Sequence, residues 1–239
     1  MINIVFPMAS SDLFQQGGKK IPLQLFEING RPLISYVIES FSKVKGIKRV
    51  IFIINASHAD RYALEKTLKL LCPKKSIVLT VGKTKGALCT VMLAADFIDA
   101  NELLVVNSDQ LILNIEVLLE KFKKSNCEAG VLSFKSTLKR WAYGFIRNEK
   151  LLESFVRNPT SCNALAGFFY FKNGINFLTN AKKTIKNSWT TDGLFYVPSV
   201  LNQFILDGNT INAIKIDEEH ILNLYSKDMI NKNRKNLSK

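Results

Sequence analysis

The run Leu103-Leu104-Val105-Val106-Asn107-Ser108-Asp109-Gln110 decides how this chain is read. Its four successive apolar residues predict a short strand buried on both faces, as in a parallel sheet covered by helices. The run then breaks into Asn, Ser, Asp and Gln. In an open α/β sheet, ligands gather beyond the carboxyl ends of the parallel strands. Asp109 therefore stands where a ligand can meet it, and a carboxylate there suits Mg²⁺ bound to phosphate oxygens. An ordinary polar turn after a buried strand would look the same, so the neighbouring segments must decide.

Residues 2–6, apolar but for Asn3, predict a first strand, followed by a polar loop to about residue 20 that holds Gly17-Gly18 and Lys19-Lys20. Such a loop can cradle phosphate on backbone N–H groups. Its glycines come too late for a Walker A loop or a dinucleotide fingerprint. Residues 22–28 read as a short strand turning at Asn29-Gly30, and Arg31-Pro32 opens a helix to about residue 43. A strand over 49–55, a helix over 58–71, a strand over 76–81, a loop over 82–86 and a helix over 87–98 lead into the Leu103 strand. This alternation predicts a doubly wound, mainly parallel sheet flanked by helices.

Beyond it the rhythm changes. A helix is expected over 115–124 and a strand over 129–136. Short antiparallel strands are expected over 144–147 and 154–156, and a strongly β run over 165–172. A helical turn follows at 174–180, then a helix over 192–207 despite Pro198, and a strand over 212–216. The polar, basic tail from Ser226 reads as a frayed helix. The expected organisation is one domain over 1–239: a parallel-sheet half over 1–125, a mixed half over 126–225 and the tail over 226–239.

The net charge is +13, with 47% hydrophobic and 22% charged residues. That balance suits a globular protein with a sizeable core. The positive charge fits nucleic acid, an anionic membrane or small phosphorylated ligands. The lysines and arginines are spread along the chain without an aromatic-interleaved stripe, so no nucleic-acid partner is expected. The cysteines, Cys72, Cys89, Cys127 and Cys162, form no CxxC pair, and the histidines are only His58 and His220. A zinc site is disfavoured, and a reduced, cytoplasmic setting is expected. No signal peptide precedes the first strand, which Pro7 interrupts, and no apolar run approaches the ~18 residues of a spanning helix.

Several segments, in this order, resemble the sugar-1-phosphate nucleotidyltransferases, a family with a GT-A-like, Rossmann-type fold. The likeness is to the short bacterial forms found with capsule and surface-glycan genes. Ile4-Val5-Phe6-Pro7-Met8-Ala9 matches the family's first strand and the start of its nucleotide loop. Glu27-Ile28-Asn29-Gly30-Arg31-Pro32-Leu33-Ile34 matches its "nGkPmi" helix start. Thr84-Lys85-Gly86-Ala87-Leu88-Cys89-Thr90, with Ala94 beyond, matches the segment whose backbone faces the base. Asn107-Ser108-Asp109-Gln110 matches the metal-binding strand end. Tyr143-Gly144 and Gly167-Phe168-Phe169-Tyr170-Phe171 match two parts of the sugar-binding wall.

The departures are as informative. The family loop carries a glycine pair and an arginine for the triphosphate; here it reads Ala9-Ser10-Ser11-Asp12-Leu13-Phe14. The family's Pro-Lys-Pro-Leu becomes Pro22-Leu23-Gln24-Leu25, with Leu23 at the lysine position. Val156-Arg157 stands for a Glu-Lys pair. Asn223-Leu224-Tyr225-Ser226-Lys227 replaces a late Gly-Leu-Gly-Thr-Pro.

The resemblance implies transfer of a nucleoside monophosphate from an NTP to a sugar-1-phosphate, with release of pyrophosphate and Mg²⁺ as cofactor. Asp109 would be catalytic and hold the metal. Asp192, in Thr190-Thr191-Asp192-Gly193, is the second metal candidate, with an N-cap on the next helix as the alternative. Lys19 and Lys20 are candidates to replace the lost cations, a solvated surface pair being the plainer reading. Met8, Ala9, Ser10, Gly86, Ala87, Thr90 and Ser108 would bind nucleotide. Tyr143, Gly144, Arg157 and Asn163 would face the sugar, Arg157 pairing with its phosphate. Phe168 to Phe171, Trp141 and Trp189 read as packing, and both histidines as surface residues. Two alternatives stand beside the enzyme: a family member that binds nucleotide or nucleotide sugar without turnover, and a GT-A glycosyltransferase. The latter is disfavoured because Asn107-Ser108-Asp109 offers one acid where Asp-x-Asp is usual. Base, sugar and self-assembly are left open.

Overall fold

The computed structural model describes residues 1–239 except Lys74, Thr160, Lys239 and the side chain of Ser238. The first strand, β1 (Ile2–Met8), is followed by a hairpin, β2 (Leu13–Gln16) and β3 (Lys19–Pro22), where a polar loop was expected. Gly17 and Gly18 both have positive φ and make its two-residue turn, so they serve the hairpin rather than a phosphate cradle. A short 3-10 turn leads to β4 (Glu27–Ile28), a tight turn at Asn29-Gly30, β5 (Arg31–Pro32) and α1 (Leu33–Glu39). Next come β6 (Ile47–Asn55), α2 (Ala56–Tyr62), α3 (Leu64–Leu71), β7 (Ser76–Val81), α4 (Ala87–Met92) and β8 (Glu102–Val106).

Two helices expected to be continuous are broken. Ala63, at φ 52°, separates α2 from α3. The second stops at Met92 and resumes as a 3-10 turn over Ala95–Phe97.

The chain continues through β9 (Gln110–Ile112), α5 (Ile115–Lys124), β10 (Ala129–Lys135), β11 (Ala142–Arg147), β12 (Lys150–Val156) and β13 (Asn163–Phe171). It ends with α6 (Gly174–Lys186), α7 (Val197–Leu206), β14 (Ile211–Lys215), β15 (Ile221–Asn223) and α8 (Lys227–Asn233). Pro198 sits in the first turn of α7, where its missing N–H has no intrahelical partner to lose. The tail expected to fray instead packs inward: Ile230 of α8 is fully buried.

A nine-stranded mixed sheet organises the fold, in the order β10-β14-β12-β11-β13-β8-β1-β6-β7. β7, β6, β1 and β8 run parallel. β13 is antiparallel to β8, Phe168 facing Val106 and Phe171 facing Leu103, and joins the second half to the first. Burial on both faces follows the two-residue period of a strand. Ile2, Ile4, Phe6 and Met8 of β1 pack in one core with α1, α3 and α5. Val5 packs in the other with α4, α6 and α7. Among the described residues no helix is long and apolar enough to cross a membrane.

At the amino end of these strands Asp99 accepts bonds from Asn3 (2.9 Å) and Asn101 (2.6 Å) and pairs with Lys48. Burial pushes its carboxyl upward, but Lys48, Asn101 and Asn3 outweigh it and hold it well below the usual carboxylate range. A depressed folded pKa gives stability that is present above the unfolded value, about 3.9, and is lost as pH falls below it. Because the pair is about one-third exposed, screening reduces its value to about 1 kcal/mol. Asp99→Asn should lower the unfolding free energy by that amount at pH 7. Urea titrations should show the gap closing as pH drops below about 4.

Candidate active site

Beyond β8 the chain turns away from the sheet. Asn107 donates its N–H to Gly167 O (2.7 Å), and Leu224 donates to Asp109 O (2.8 Å). The Gln110 side chain accepts from Gly167 N–H (2.6 Å) and donates to Asn223 Oδ1 (3.0 Å). Gly167 leaves the room this needs, since a Cβ there would stand 2.3 Å from the Asn107 amide. The strand end is therefore clasped by β13 on one side and by β15 on the other.

Two cavities adjoin it. The first, ≈ 320 Å³, is walled by Met8, Ser10, Asp12, Gln24, Ser108 and Asp109, among others, and bounded by Arg140 and Tyr225. The second, ≈ 200 Å³, lies among Ala87, Trp141, Arg157, Phe169, Tyr196 and Pro198. Asn107 and Arg140 line both. Three further cavities are bordered by residues other than Asp109.

Asp109 Oδ2 accepts from Arg140 Nη2 at 3.0 Å, whereas the buried Oδ1 has no partner among the described residues. Burial pushes the Asp109 carboxyl upward and exceeds the opposing pull of Arg140. A buried carboxylate oxygen without a partner is costly, and a cation or a donor relieves that cost. The Arg140 guanidinium lies over the Tyr225 ring (3.2 Å to the centroid) and near Trp141 (4.6 Å). Asp12 adds a second acid, its carboxylate accepting from Ser10 Oγ (2.7 Å). Ser108 Oγ accepts from the Gln24 amide (3.0 Å).

The structure brings Met8, Ser10, Ser108 and Asp109 to the first cavity and Ala87 and Arg157 to the second. The other candidates line neither. Ala9 is buried, with its carbonyl accepting from Asn55 (3.2 Å). Thr90 is buried too; its hydroxyl meets Thr84 Oγ1 (2.7 Å) and Gly86 O (3.2 Å), bracing that loop. Tyr143 lies in the core, donating to Leu138 O (2.7 Å), and Gly144 accommodates Leu151. Asn163 opens β13 opposite Lys135. Lys19 and Lys20 are exposed on the hairpin. Register puts Lys19 on the face of Phe14, which lines the first cavity, and Lys20 on the opposite face.

Asp192 caps no helix. It turns with Gly193 between the paired Thr191 and Leu194, and Tyr196 precedes α7. Its side chain, 69% exposed, faces Arg157 at 3.4 Å and borders neither cavity. Asp109 and Asp192 therefore line no common cavity among those described. One buried carboxylate oxygen does fit a Mg²⁺ held otherwise by phosphate and water. His58, read as a surface residue, is buried between Tyr62 and the Asp12 segment, and burial lowers its pKa.

Sequence reasoning missed Arg140, Gln24, Asp12 and Tyr196 as cavity residues. Gln24 and Asp12 lie inside the stretches aligned to the family's lysine motif and loop. Arg140 lies three residues before Tyr143, where a cation invites attention. Gly86 has a local reason to be glycine. Its φ is 102°, and a Cβ would stand 2.3 Å from Phe195 O. Leu88 N–H bonds that same carbonyl at 3.1 Å. Gly86→Ala should destabilise the chain by roughly 1–3 kcal/mol, read as a fall in the urea midpoint.

Comparison with known proteins supports the same assignment. Structures of similar fold include the nucleoside-diphosphate-sugar pyrophosphorylase from Vibrio cholerae RC9 (TM-score 0.79, 18% identity, covering 98% of this chain and 100% of that one). The inositol-1-phosphate CTP transferase from T. maritima is similar too (TM-score 0.77, 16% identity, covering 99% and 94%). No functionally curated protein matches the sequence. Residues 18–211 match the nucleotidyl transferase family, and with that span, this fold and a cavity at the end of β8, the chain belongs to the nucleotidyl transferases.

Proposed function

We propose that this protein transfers a nucleoside monophosphate from an NTP to a sugar-1-phosphate or a similar phosphorylated acceptor. The observation that carries this reading is the buried, partnerless Oδ1 of Asp109 in a cavity at the carboxyl end of a parallel strand. An acceptor phosphate oxygen attacks the α-phosphorus, the bond to the β-phosphate oxygen breaks, and pyrophosphate leaves with the electron pair. No covalent enzyme intermediate is required, so the protein's work is positioning and charge neutralisation.

The first cavity takes the triphosphate, with Ser10, Ser108 and Gln24 as polar contacts, and the second takes the acceptor beside Arg157. Asp109 would hold Mg²⁺, which supplies charge neutralisation on the phosphates. The product is a nucleotide sugar or a comparable activated compound, of the kind consumed in surface-polysaccharide assembly in the cytoplasm.

A second reading, ligand binding without turnover, is favoured by two observations. Arg140 already pairs with Asp109, and Lys19 and Lys20 lie outside the cavity. A melting-point screen with Mg²⁺ and CTP, UTP, GTP, ATP and dTTP separates the two when followed by pyrophosphate assays with mixed sugar-1-phosphates. One NTP should raise the melting point by mass action and support pyrophosphate release. Asp109→Asn should then cut turnover roughly 10²–10³-fold. Binding with no release for any acceptor supports the second reading.

A further inference from the structure

Arg140 carries more donors than its ion pair uses. A guanidinium has five N–H donors in a planar fork. Among the described residues its hydrogen bonding is confined to Asp109 Oδ2, through Nη2. Tyr225 and Trp141 restrain the group through ring contacts, which leave edge donors free for oxygen ligands. It lines both cavities.

The charge of the first cavity makes this position matter. Among the described residues its lining holds two acids, Asp12 and Asp109, and a single Lys or Arg, Arg140. A polyphosphate entering this space meets like charge from both carboxylates. Neither the loop after β1 nor the turn after β3 adds a cation to this lining: they contribute Ser10, Asp12, Leu23 and Gln24.

We propose that Arg140 is the phosphate-gripping residue of this site. It holds Asp109 through one amine and presents its remaining donors to phosphate where the two cavities meet. Asp109 would hold a nucleotide-bound cation, which would supply charge neutralisation there, while the Arg140 donors not bonded to Asp109 are placed for the bidentate contact that arginine makes with phosphate. One residue on the loop before β11 thereby supplies the cation of the first cavity. This inference rests on the nucleotidyltransferase reading and names the residue that makes it work.

The test is calorimetric titration of the full-length chain with Mg²⁺ and CTP, UTP, GTP, ATP, dTTP, inorganic tripolyphosphate or the matching unphosphorylated nucleosides. Arg140→Gln should bind the preferred NTP and tripolyphosphate at least ~30-fold more weakly, about the worth of one charge-assisted pair. Nucleoside binding should stay within about 3-fold. Its affinity should also fall less steeply with salt than that of the wild type, because one phosphate contact is gone. Arg140→Lys keeps a point charge and should recover part of the loss; should the Gln variant fail to fold, the Lys variant decides, with NTP binding at least ~5-fold weaker and nucleoside binding unchanged. NTP affinity and salt dependence matching the wild type in a folded Arg140→Gln overturn this inference and leave the proposed function standing. A wild-type chain that binds none of the phosphorylated probes overturns both.

Discussion

A half-buried carboxylate with one oxygen shielded from water, at the end of a buried strand, is the constraint around which this molecule is arranged. The apolar run Leu103 to Val106 must be covered on both faces, which fixes the parallel core. Where that run ends, Asp109 is only partly solvated and only partly paired: Oδ2 meets Arg140, and the buried Oδ1 has no partner among the described residues. Desolvation of an ionised oxygen is costly. A cation or a donor would relieve that cost, and the surroundings hold the group in place. Gly167 is small so that Asn107 fits. Gln110 ties β13 to β15, and the backbone of Leu224 holds the carbonyl of Asp109.

Long-range pairing, more than local propensity, builds the site. Arg140 comes from the loop between β10 and β11, Gln24 from the turn after the hairpin, and Tyr225 from the segment after β15. The distant Tyr225, with the neighbouring Trp141, restrains the guanidinium. The carboxyl-terminal elements therefore belong to the site. β15 pairs with β9, Asn233 donates to Asn223 O at 2.9 Å, and Ile230 is buried beneath.

Much of this was legible in residue order. The buried parallel strands follow from runs of Ile, Val, Leu and Phe. The turn at Asn29-Gly30 follows from two residues that tolerate positive φ. Asp109, Ser108, Met8 and Ser10 converge because strand ends and the loop after β1 share one edge of the sheet. What was not legible depended on contacts across the fold. The break at Ala63 has no glycine or proline to announce it. Asp192 read as a second metal ligand or a helix cap, yet it sits in a turn with Gly193 that neither caps α7 nor lines either cavity. Tyr143 and Thr90 carry the family's pattern but spend their hydroxyls on the protein's own backbone. Lys19 and Lys20 are near the cavity in sequence but lie on an exposed hairpin whose register only the fold reveals.

The central claim is that the free oxygen of Asp109 is where a cation and nucleotide phosphates meet. Crystals grown with Mn²⁺ and the NTP that most raises the melting point test it directly, because Mn²⁺ scatters anomalously. The account predicts an anomalous peak about 2.1–2.3 Å from Asp109 Oδ1, with phosphate oxygens completing the oxygen shell typical of such ions. Nucleotide bound with its phosphates away from Asp109, and no peak beside that oxygen, would contradict it.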